Sequence, residues 1–162
     1  MANSEISVLL TMVDQAFDQK SWHGTNLRGA IKGLSAEQAA WRPSPRRHNI
    51  WEIAVHAAYW KYIARRRLMS EARGSFPIKG SNWFERPAPG GLDEAHWKSD
   101  LALLAQMHLS MRAAVAAILP RELHRTPASS KVSNLSLVTG IAAHDLYHAG
   151  QIQLLKRLSS GG

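Results

Sequence analysis

IAAHDLYHAGQIQLL, residues Ile141–Leu155, has the apolar spacing of a helix with two histidines set four apart inside it. Leu137, Ile141, His144, His148, Gln151 or Ile152, and Leu155 fall on one stripe in alternating steps of four and three. The imidazoles thus stand where leucines are expected, on a face that turns inward. Residues four apart lie one above the other, with Cβ atoms about 5–6 Å apart. Such a pair has two readings: stacked core imidazoles, or two ligands to one ion, since zinc–nitrogen bonds are about 2.0–2.1 Å long.

The helix around this stretch is predicted from near Ser136 to near Leu158, and the same spacing recurs upstream. Asp93 caps a helix reaching Leu119 before Pro120, with Trp97, Leu101, Leu104, His108, Met111, Val115 and Ile118 as its spine. Asn49 followed by Glu52 reads as a capping box opening a helix to about Ser70. A first helix spans about Ser4–Lys20 on Ile6, Leu9, Leu10, Val13 and Phe17. A shorter helical piece follows around Trp22–Leu34, interrupted by Gly24 and Gly29, and Pro43 and Pro45 mark a connector. Between the second and third long helices lies a glycine- and proline-rich loop of roughly twenty residues, long enough to be functional or disordered. Trp83 and Phe84 within it are expected to pack down. No strand alternation or internal repeat interrupts this pattern. The expected fold is all-α: one domain over residues 1–162, an antiparallel four-helix bundle with a long irregular loop between helices two and three.

A chain of 162 residues, 45% hydrophobic and 20% charged, can bury a core without staples. It has no cysteine, which excludes disulfides, a thiolate nucleophile and cysteine-held zinc or iron–sulfur sites. Any metal must be held by histidine and carboxylate. No apolar run approaches the roughly 18–20 residues of a membrane span, and Met1–Glu5 has no leader pattern, so a cytoplasmic location without membrane contact is the expectation. Twenty Lys and Arg against twelve Asp and Glu give a formal charge of +8. No zinc-finger, RNA-recognition or P-loop signature accompanies it, so a solvated basic surface is expected and nucleic-acid binding is not.

The second helix offers a third imidazole. Its stripe of Asn49, Ile53, His56, Trp60 and Ile63 turns His56 inward, and bundled helices about 8–10 Å apart let such side chains meet. Three buried neutral imidazoles without an ion leave nitrogens unsatisfied at about 1–3 kcal/mol each. A divalent cation relieves that cost.

The pairing of HNIWEIAVHAAYW (His48–Trp60) with AHDLYHAGQI (Ala143–Ile152) resembles the DinB-like superfamily, including its YfiT-type metal-dependent hydrolases. SWHGTNLRGAIKGLSAEQAAWRP (Ser21–Pro43) is similar to its N-terminal part, so the likeness spans nearly the whole chain. The resemblance implies a four-helix bundle holding a divalent metal on three histidines, here His56, His144 and His148. It also implies a low-molecular-weight thiol as a reaction partner in some members, and a homodimer.

Three protein ligands leave positions for water or substrate, and a divalent ion lowers the pKa of either water or a thiol. The expected function is therefore a hydrolase or thiol transferase acting on a small molecule, with zinc or nickel as the favoured ion and manganese or iron as alternatives. The competing reading is a non-catalytic, stress-related binding protein with a structural ion. Asp145, not glutamate, follows His144, which disfavours a zinc-peptidase mechanism. Glu52 is a candidate base, or only the cap's partner. Gln151 can support a ligand imidazole or merely border the stripe. Trp60 can wall the cavity, and His23 can line its mouth or lie on the surface. His108 is read as a core histidine in preference to a fourth ligand. Tyr147 and Asp145 are assigned to packing or dimer contacts, with no catalytic role.

Overall fold

The computed structural model describes residues 4–74 and 76–161, so the pattern read at Met1–Asn3 lies outside the described residues. Among the described residues the chain is all-helical: α1 Ser4–Phe17, α2 Leu27–Ile31, α3 Ala36–Ala40, α4 Ile50–Leu68, α5 Glu94–Ala116 and α6 Asn134–Ser159, with a 3-10 turn at Pro120–Glu122. None of these helices is long and apolar enough to cross a membrane.

Local side chains start most of these helices. Asn26, Ser35, Asn49, Asp93 and Ser133 each accept a backbone N–H from the first turn of α2 to α6 respectively. Ser35 and Gln38 form a full capping box, which makes α3 a helix where only a connector to Pro43 was expected. The piece expected over Trp22–Leu34 is correspondingly shorter. It begins after the Asn26 cap and stops before Gly33, whose φ of +78° no helix accommodates. Ser133 starts α6 two residues earlier than expected, while α5 stops at Ala116, short of Leu119.

α4 packs along α5 and α6, α1 along α5 and α6, α2 against α6, and α3 against α4. His56 meets His148 and Lys61 meets Asp145, so α4 and α6 run antiparallel. The apolar interior is divided in two. One cluster joins α2, α3, the first half of α4, Trp97 and Leu104 of α5, and Ile152 and Leu155 of α6. The other joins Ile6, Leu9 and Val13 of α1 to Met111 and Val115 of α5 and to Val138 and Ile141 of α6. Between them lies a polar layer: His56 and Lys61 on α4, His108 on α5, and His144, Asp145 and His148 on α6. Buried polar groups survive only when paired or bound, so this layer is where chemistry is to be sought.

Candidate metal centre

α4 enters the layer from a tightly held N-terminus. The Asn49 side chain accepts the Glu52 N–H at 2.8 Å and donates to the carbonyls of Ala40 and Arg86 at 3.2 and 2.7 Å. Glu52 returns the bond to the Asn49 N–H, while Arg42 and His48 occupy its oxygens at 2.8 and 3.0 Å. Burial pushes the Glu52 carboxyl up, but the hydrogen bonds from Arg42 and His48 outweigh it and hold the group below the usual range. Glu52 is thus an anchored anion and no member of the histidine group.

One turn further on, His56 reaches the centre of the layer. Its Nε2 lies 3.1 Å from Nε2 of His144, which lies 3.0 Å from Nε2 of His148. The three residues offer ligand atoms that all fall within 4.8 Å of one another, and no other His, Cys, Asp or Glu joins them among the described residues. In tetrahedral zinc sites the ligand nitrogens stand about 3.3 Å apart, close to these separations.

The proton inventory explains why these rings want a cation. His56 Nδ1 donates to the Asn82 carbonyl at 2.8 Å, and His148 Nδ1 donates to Gln151 Oε1 at 2.7 Å. Those oxygens can only accept, so both Nε2 atoms carry lone pairs aimed at His144. A single proton on His144 Nε2 can satisfy one of them and leaves the other facing nitrogen. Burial lowers the pKa of His56 to about 4 and of His144 to about 3, in both cases helped by neighbouring imidazoles, and it lowers His148 too. All three are neutral at pH 7, and the lone pairs of His56 and His148 converge on His144 Nε2. His144 Nδ1 is buried with no partner, the one nitrogen of the three rings left without support.

The surroundings hold these orientations. Asn82 and Trp83 come from the irregular segment between α4 and α5. The Trp83 ring lies between His48 and His56, with centroid distances of 3.6 and 3.8 Å and nearly parallel planes. Asn82 sits in the left-handed region at φ +65°, and its Oδ1 accepts the Trp60 Nε1–H at 2.9 Å. Trp60 stands against the edges of His56 and His144, each at 6.3 Å. Neither Asn82 nor Trp83 has a periodic signal that spacing could reveal; an aromatic in a glycine-rich loop was the only hint.

Beneath His144, Asp145 is paired with Lys61, both essentially inaccessible to solvent. Burial pushes the Asp145 carboxyl up and the Lys61 ammonium draws it back. The ammonium also lies 4.9 Å from the centre of the Phe17 ring, whose face stacks on His108 at 3.8 Å. His108 is 3% exposed and stands apart from the three-histidine group. Tyr147 packs edge-on to His148 but is otherwise exposed. His23 lies on an exposed turn with no contact to the triad.

The family model of the DinB superfamily matches residues 19–152, a span that contains all three histidines and the Asn82–Trp83 segment. No curated protein and no solved structure matches the chain.

Proposed function

The chain belongs to the DinB superfamily, and from that premise we propose that it is a metal-dependent enzyme on a four-helix-bundle scaffold, transferring a low-molecular-weight thiol to a small-molecule acceptor. The convergence of three neutral imidazole Nε2 atoms, two of them held as lone-pair donors by oxygen acceptors on Nδ1, carries the reading. A divalent ion held by His56, His144 and His148 supplies Lewis acidity that shifts a thiol or a water toward its anion near neutral pH. Asn82 and Gln151 hold two ligand rings in the tautomer that presents Nε2, and Trp83 and Trp60 limit their rotation.

Thiol transfer is favoured over hydrolysis because, among the described residues, no free carboxylate stands by the triad as a base. Glu52 is spent on Arg42, His48 and the helix cap. A free thiol, with a pKa of about 8.5, needs far less help to ionise than water does. Zinc and nickel are the proposed ions, imidazole being a suitable ligand for both. The active form is proposed to be a homodimer.

Elemental analysis of the purified protein beside His56→Ala, His144→Ala and His148→Ala should find an equimolar divalent ion in the first and its loss in the variants. The loaded protein should conjugate low-molecular-weight thiols to electrophiles, and His56→Ala should not. Hydrolysis of activated esters without conjugation would shift the assignment to a hydrolase. An ion retained by all three variants would refute the centre itself.

A further inference from the structure

A narrow groove of about 170 Å³ opens beside the triad between α4 and α6. His144 lines one end; Trp60, Ile63, Leu137 and Ile141 form apolar walls; Arg67 lines the other end. Seven residues separate Trp60 from Arg67 on α4, and seven separate Leu137 from His144 on the antiparallel α6. At 1.5 Å of rise per residue the groove is about 10 Å long. It is smaller than the roughly 300–1,000 Å³ of drug-sized pockets, so its occupant is slender.

Two observations bear on that occupant. Among the described residues Arg67 is the charged group that lines the groove, and its Nε, like that of Arg66 outside the groove, is buried with no hydrogen-bond partner. Its neighbour Arg65 is held by Glu71, whereas no carboxylate pairs with Arg67 among the described residues. Gly140 also lines the groove, in the interior of α6, where glycine is a poor helix former. Gly140 is exposed and a Cβ there would meet nothing within 4 Å, so a long side chain at this position would project over the groove's rim.

We propose that this groove binds a slender, apolar small molecule ending in a carboxylate, with the carboxylate on Arg67 and the far end delivered to the three histidines. A planar guanidinium in an apolar setting selects carboxylate through paired charge-assisted hydrogen bonds. The inference rests on the triad being the reacting end, and it makes the groove the acceptor's specificity site.

Calorimetry with 5-phenylpentanoate and its neutral amide tests it, on protein stripped of metal and on protein reloaded with zinc. The carboxylate should bind about 10-fold or more tighter than the amide in both forms, as a hydrogen-bonded charge is worth about 1.5–3 kcal/mol. Arg67→Gln should erase that preference, and Gly140→Met should abolish binding of both probes, each variant keeping the zinc stoichiometry of the wild type. Equal binding of the probes, a preference that survives Arg67→Gln, or binding untouched by Gly140→Met would overturn the proposal. So would a preference seen only with zinc, because the carboxylate would then sit on the ion. Failure to bind zinc with the carboxylate preference intact would count against the metal centre and leave the groove standing.

Discussion

At the scale of single residues, the polar layer turns burial into pH dependence. His108 is 3% exposed, and burial together with the nearby Lys61 charge lowers its pKa to about 3. In the unfolded chain it titrates near its ordinary value of about 6.5. Between those values the unfolded state holds one proton more at this position, so stability rises with pH across the window and is fully present above the upper value. His108→Leu, on a spine with Leu104 and Met111, should therefore flatten the dependence of stability on pH. Urea unfolding between about pH 4.5 and 6 should show a slope shallower by up to about 1.4 kcal/mol per pH unit than the wild type. An unchanged slope would mean that His108 takes up its proton while folded. The inward position of this histidine was legible in the four-three spacing of the third predicted helix, as were those of His56, His144 and His148. The Lys61–Asp145 pair was not. A lysine between Trp60 and Tyr62 reads as a solvated charge, and only the facing of α4 against α6 brings the carboxylate to it.

At the scale of elements, the helices supply the three imidazoles and the irregular segment aims them. The Asn82 carbonyl sets the His56 tautomer from a left-handed backbone, which asparagine and glycine tolerate and alanine resists by about 1–2 kcal/mol. Its side chain separately secures Trp60. Asn82→Gly keeps the backbone and loses only the Trp60 bond, whereas Asn82→Ala strains both. Competitive zinc titration should find the alanine variant weaker by about 10–100-fold, the range for partners that orient a metal ligand, and the glycine variant less affected. Two variants that bind zinc like the wild type would remove Asn82 from the centre. Spacing found the long helices because their apolar stripes repeat, and the Asn49 capping box because it is local. It had no purchase on residues 69–93, where one carbonyl and one stacked indole do the orienting without any period. α3 shows the converse: its Ser35–Gln38 box is written in the sequence, but a helix of 5 residues is too short for an apolar stripe to repeat.

At the scale of the molecule, the question is whether the proposed ion would hold the fold or the fold would hold the ion. Both apolar clusters close without the histidines: α1 is bound to α5 and α6 through one, and α2, α3 and α4 are bound together through the other. Each of α2 to α6 carries its own cap. The triad lies in the seam between the clusters, so losing an ion there unmakes no apolar contact. It leaves three imidazole nitrogens crowded together with a single proton between them, a local cost. Chelation should then leave far-UV helicity at 25 °C unchanged while lowering the melting temperature. An ion present at a thousand times its dissociation constant adds about 4.1 kcal/mol to the folded state. For a domain of this size each kcal/mol moves the midpoint by about 2–4 °C, so the fall should be about 8–16 °C. His56→Ala should melt at the chelated temperature whether or not zinc is added, since it lacks the ligand that joins α4 to α6. Loss of helicity on chelation at 25 °C would make the ion structural, and the open coordination on which thiol transfer depends would lose its argument.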